Sequence, residues 1–129
     1  MLLVSVLWLL AAYHLVTGAV ALFAPASVPL MLRKLYDITI PPGESWQYAS
    51  AIVGAFALVI GGLAVTAARA PATHAPVIAA LLTLQLCRVY CRLRYHALLG
   101  RAFGVRARAN VAAVVILLLE SAVLVQAFV

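Results

Sequence analysis

The sequence predicts an all-α protein, a four-transmembrane-helix bundle with a short interfacial segment between its first and second helices. Three observations carry that prediction. Four apolar runs divide the chain, each about long enough to cross a ~30 Å hydrocarbon core at ~1.5 Å per residue. The composition is 67% hydrophobic and 9% charged, with a mean hydropathy of +1.17, whereas about a quarter of a soluble domain is charged. The breaks between the runs are rich in proline, glycine or arginine. The 129 residues then form a single integral membrane domain over residues 1–129, with no room for a separate soluble one.

The first helix is predicted over about residues 2–24, LLVSVLWLLAAYHLVTGAVALFA. Ala19-Val20-Ala21 resembles a signal-peptidase site, but no Lys or Arg precedes the run, so a retained helix is expected. His14 is its one ionisable side chain. Ala11, Gly18 and Ala21 fall on nearly the same face and would let another helix come close. Residues 25–45 form the longest break. Their central LMLRKLY is amphipathic and too short to span, which suits an interfacial position with Arg33 and Lys34 toward headgroups. Pro41-Pro42-Gly43 should end it, and Glu44 or Ser45 suits the first turn of the next helix.

The second helix is predicted over about 46–68. Ser50, Gly54, Ala57, Gly61, Ala64 and Ala68 follow one another at steps of three or four, a small-residue stripe for close packing, either within the bundle or against another subunit. The third helix is predicted over about 76–99, with Gly100 as its C-terminal glycine. Its second half is polar. Gln85, Arg88, Arg92, Tyr95 and His96 share one arc, while Cys87 and Cys91 share another face, where buried free thiols are expected. The fourth helix, about 109–128, carries Glu120 on the same side as Asn110, Ala113, Leu117 and Leu124.

Intramembrane ionisable residues face a protein interior or a cavity, because charge is costly in lipid. Counted inward from the helix ends, His14, Arg88 and Glu120 lie at similar depths of about 15–21 Å. A short linker makes helices three and four antiparallel neighbours. An intramembrane polar cluster of His14, Gln85, Arg88 and Glu120 is therefore expected, built on an Arg88–Glu120 ion pair.

The formal charge is +6, from nine Lys and Arg against three acids. Arg33, Lys34, Arg92, Arg94, Arg101, Arg106 and Arg108 gather near one membrane face, and Arg69 lies at the other. This is the pattern of topology and contact with anionic lipid headgroups, not of nucleic-acid binding. It directs both termini outside the cytoplasm.

LFAP at Leu22 to Pro25, GAFALVIGGL at Gly54 to Leu63 and LLG at Leu98 to Gly100, in a four-helix layout, resemble the DoxX-like group of small bacterial inner-membrane proteins. That resemblance implies a bacterial cytoplasmic-membrane protein and brings in quinone-linked redox chemistry, but assigns no catalytic residue. Three functions follow as expectations. The first is a non-catalytic accessory subunit of a larger membrane complex, partnered by other membrane subunits or by its own copies. The second is a quinone- or haem-associated protein, in which Tyr13, His14, Tyr90, Tyr95 and His96 supply hydrogen bonds or ligands. The third is a small oligomeric transporter using Glu120. No metal site is expected, because CxxxC at Cys87 and Cys91 lacks further ligands nearby.

Overall fold

The computed structural model describes residues 1–40 and 43–129, apart from the side chain of Glu44. The expected Pro41-Pro42 stop and the Glu44 capping role lie outside the described residues. Among the described residues six α-helices follow in order: α1 (Leu2–Phe23), α2 (Val28–Tyr36), α3 (Glu44–Arg69), α4 (Ala75–Arg94), α5 (His96–Phe103) and α6 (Ala107–Val125). Single 3-10 turns precede α2 and α4 and follow α6, and among the described residues there is no strand. Helices α1, α3, α4 and α6 are each long and apolar enough to cross a membrane. The chain is a small multi-pass integral membrane protein.

The bundle is made of two antiparallel helix pairs of unequal tightness. Helices α1 and α3 are packed most closely. The reason is glycine. A Cβ on Gly54 would lie 2.7 Å from the backbone nitrogen of Leu22 and 2.8 Å from the Gly18 carbonyl oxygen. A Cβ on Gly18 would lie 2.9 Å from the backbone of Gly54 and Leu58. The two backbones touch where neither residue has a side chain, which is how membrane helices gain packing without a hydrophobic driving force. Ser50, Gly54, Gly61, Ala64 and Ala68 are buried and Ala57 is half-buried. The stripe of small residues is thus taken up inside the bundle, against α1.

The second pair, α4 and α6, is held by side chains rather than by backbone approach. Its own apolar centre is small: Val89, Val114 and Leu117. The main core lies at the other end, near the termini, where Leu7, Leu10, Ala11, Ala64, Ala67, Ile78, Leu81 and Leu124 join all four long helices. The bundle is therefore closed at the end carrying the termini and open at the end carrying α2 and α5.

The expected third helix is divided. Its regular part stops at Arg94, Tyr95 leaves helical geometry (φ −110°, ψ 20°), and α5 continues as a separate amphipathic piece with no buried residue. The 20 residues of α4 already span about 30 Å, the thickness of the hydrocarbon core. The chain turns once that length is used. Gly100 lies inside α5, so the glycine that ends the segment is Gly104, at φ 67°. Helix α2 ends in the same way at Asp37, at φ 58°. In each case the left-handed residue and the one after it return their N–H groups to the last turn, to Arg33 and Leu32 in α2 and to Gly100 and Leu99 in α5.

Those two ends are joined. The Thr39 N–H donates to the Phe103 carbonyl oxygen at 2.8 Å, and Arg106 forms an ion pair with Asp37. This is the single ion pair among the described residues.

Candidate functional site

Gln85, Arg88 and Arg92 of α4 face inward toward the open end. Gln85 is 1% exposed, and its amide nitrogen donates to Glu120 Oε2 on α6. Its amide oxygen accepts from the Arg88 guanidinium at 2.9 Å. One turn further, Arg92 donates to Asn110 Oδ1 at 3.0 Å, and the Asn110 amide donates back to the Arg92 carbonyl at 3.3 Å. These contacts clasp α4 to α6 and leave both guanidiniums turned toward α1 and α2. There Arg88 lies over the Tyr13 ring, 5.7 Å from its centre, and Arg92 over the Tyr36 ring at 5.9 Å. The Tyr13 and Tyr36 hydroxyls are hydrogen-bonded to one another. Two arginines of α4 thus rest on two tyrosines, one from α1 and one from α2, an arrangement favoured by ring electrostatics and strengthened away from water.

This frame separates two cavities. The first, of about 490 Å³, lies between α1, α2, α4 and α6. It is lined by Arg33, Lys34, Arg88, Arg92 and Arg106, with Asp37 and Glu120 as the carboxylates among its described lining residues. The second, of about 430 Å³, lies between α1, α2 and α3 and is mainly apolar, with His14, Met31, Val53 and Ile60 on its walls. Tyr13, Tyr36 and Arg88 line both. Trp46 also lines the second cavity, and its indole N–H is the one buried side-chain donor without a partner among the described residues.

Outside the spans, two groups have shifted acidities. The Arg106 guanidinium bonded to Asp37 holds its carboxyl below the usual value of 3.8. Burial, and then the hydrogen bond shared with Tyr13, push the Tyr36 hydroxyl above its ordinary range.

The structure brings Gln85, Arg88 and Glu120 into one hydrogen-bonded chain. The direct Arg88–Glu120 ion pair expected from their depths is not formed; Gln85 stands between them. His14 is buried on α1, edge-on to Tyr13, and belongs to the apolar cavity. Arg92 is half-buried and bonded to Asn110 rather than part of an exposed rim. Arg94, Arg101 and Arg108 are exposed, and Arg33, Lys34 and Arg106 are exposed around the cleft. Tyr95 and His96 leave the polar arc, because the helix breaks between Arg94 and His96, and both are exposed. Cys87 and Cys91 are exposed, not buried, because the inward face of α4 is already filled by Leu81, Gln85 and Val89.

Sequence reasoning left Asn110, Tyr13 and Tyr36 out of the polar cluster. Asn110 was detectable as an amide in an apolar helix at the depth of Arg92. Tyr36 had no such signal, since its place depends on α2 folding back over the cleft. The described residues contain no cluster of three or more His, Cys, Asp or Glu side chains suited to a metal ion. No known protein family, curated protein or solved structure matches the chain.

Proposed function

We propose that the protein is a non-catalytic accessory protein of a larger membrane complex, and that it holds an anionic amphiphile in the cleft between its helix pairs. The observation that carries this reading is the charge of the cleft. Five cations line it against two carboxylates among the described residues. Basic side chains near a membrane surface each attract acidic headgroups by about 1 kcal/mol. The accessory role is supported by the outer face of α4, where Thr83, Cys87, Tyr90, Cys91 and Arg94 are exposed in a row. A face of this polarity suits a neighbouring membrane subunit, or a second copy, better than lipid.

On this reading the chain sits in a bacterial inner membrane, among DoxX-like proteins. Arg33, Lys34, Arg101, Arg106 and Arg108 lie at the α2 and α5 end, which the positive-inside rule assigns to the cytoplasm, with both termini outside. The test is purification from the native membrane in mild detergent, followed by native mass spectrometry and lipid extraction. Acidic lipid retained in stoichiometric amount, together with a partner chain, is the expected result. A bare monomer carrying only neutral lipid would sink the proposal.

A second reading is favoured by the apolar cavity. Tyr13, His14 and Tyr36 place polar groups on the wall of a mainly apolar groove, which suits a quinone ring with an isoprenoid tail. Quinone in the same extract, in place of acidic lipid, would select it.

A further inference from the structure

We propose that the two cavities are one site for a lipid whose head is a phosphate monoester or diphosphate. The head would sit in the cationic cleft and the chain in the groove between α1, α2 and α3. This rests on the reading that the cleft takes an anionic amphiphile, and it names the head and the path of the tail.

The head follows from charge and donor geometry. Arg106 is committed to Asp37, and Glu120 accepts from Gln85. Among the described residues, Arg33, Lys34, Arg88 and Arg92 line the same cavity with no carboxylate bonded to any of them. Several cations around one cavity repel one another unless an anion lies between them. A carboxylate or phosphodiester supplies only about one charge. A phosphomonoester carries about two, with three acceptor oxygens. Guanidinium forks match those oxygens in pairs. Arg88 uses one N–H on Gln85 and Arg92 one on Asn110, so the other donors of each fork remain for a ligand.

The tail follows from the shared wall. Tyr13, Tyr36 and Arg88 belong to both cavities, so a head on Arg88 is already beside the groove. The groove beyond is lined by Ala21, Val28, Met31, Val53, Phe56 and Ile60, a surface for hydrocarbon. The unpartnered Trp46 N–H lies on the same groove, where an ester carbonyl of a glycerolipid would satisfy it.

The experiment uses delipidated full-length protein in detergent and measures binding of dioleoyl phosphatidic acid and dioleoyl phosphatidylglycerol, with inorganic phosphate as competitor. The variants are Arg33→Gln with Lys34→Gln, which removes two exposed charges from the cleft, and Val53→Trp, which fills the groove from an exposed position. Both leave the core untouched, and monodispersity is checked first. The phosphomonoester lipid should bind about tenfold or more tighter than the phosphodiester, and the double variant should lower its affinity by roughly tenfold or more. Val53→Trp should weaken phosphatidic acid without changing competition by phosphate. Equal affinity for the two lipids overturns the head assignment and leaves the anionic amphiphile reading standing. Binding of neither lipid overturns both. Inorganic phosphate binding as tightly as the lipid, with Val53→Trp silent, points to a soluble phosphate ligand and overturns the lipid.

Discussion

Arg88 and Glu120 are joined through Gln85 and not to each other. The Gln85 amide donates to the carboxylate and accepts from the guanidinium. An amide carries both a donor and an acceptor, so it links two charged groups that would otherwise meet as a buried ion pair with a large desolvation cost. The neutral group takes the deepest position, and both charged ends stay half-buried, facing the cleft. The arrangement fixes α4 against α6 and leaves Arg88 lining the cleft.

If Gln85 is the link, its loss must cost more than its own hydrogen bonds. Gln85→Leu leaves Glu120 without its amide donor and should destabilise by about 1–2 kcal/mol, the upper range for interhelical polar contacts in membranes. Arg88→Leu should cost about the same or less, since Gln85 still serves Glu120. Thermal unfolding in detergent reads the order. An Arg88→Leu loss well above the Gln85→Leu loss would mean that the charges couple directly.

Gly54 and Gly62 provide a contrast within one helix. A Cβ on Gly54 meets three atoms of α1 at 2.7–2.8 Å, while one on Gly62 meets nothing within 4 Å. Both alanine substitutions gain about 1 kcal/mol of helix propensity. At Gly54 overpacking costs about 1–3 kcal/mol or more, because backbone atoms cannot yield. Gly62→Ala should raise the unfolding temperature and Gly54→Ala should lower it. Similar behaviour of the two would mean that α1 and α3 are not in contact there.

The clasp between Asp37 and Arg106 should respond to acid and not to mild base. The folded carboxyl is held below its unfolded value, so between the two values the unfolded state binds more protons. The contribution is complete above the ordinary value of 3.8 and is lost as pH falls through the depressed one. Protection of residues 37–40 and 103–106 against hydrogen exchange, taken relative to the intrinsic exchange rate at each pH, should therefore be flat near neutrality and fall in acid. In Asp37→Asn that protection should be lower and independent of pH over that range.

Gly104 and Gly100 differ in conformation. At φ 67° a Cβ is strained by about 1 kcal/mol or more, so Gly104→Ala should loosen the end of α5. Gly100 is helical, and the nearest atom to an added Cβ is 3.8 Å away. Gly100→Ala should be neutral or stabilising. Circular dichroism melts of the two variants check the order.

Much of the fold was legible because lipid imposes simple rules on a sequence. A run of apolar residues about 20 long in hydrocarbon must be a helix, since no other single segment satisfies its own backbone there. The four spans were therefore readable within a few residues, although α3 begins at Glu44 and α6 at Ala107. The Gly54, Gly61 and Ala64 stripe was readable because only small residues permit that approach. The break at Tyr95 was not, because the amphipathic pattern continues through it and only the membrane thickness ends α4. Side-chain pairing was less readable than depth. Matching depths pointed to Arg88 and Glu120 as neighbours, but the rotation of α4 inserts Gln85 between them and turns Cys87 and Cys91 outward.

The sequence by itself determined the class of the protein, its four spans, the close face of α3 and the presence of a polar zone in the second half of α4. Each of these is a property of one segment and its solvent. The tertiary structure alone decided which groups meet: Gln85 with Glu120, Arg92 with Asn110, Tyr13 with Tyr36, and Asp37 with Arg106. Those contacts join residues from 18 to 69 positions apart. They depend on helix rotation and on how α2 folds back over the open end of the bundle. Neither is encoded in the periodicity of any single helix, because packing between helices sets both.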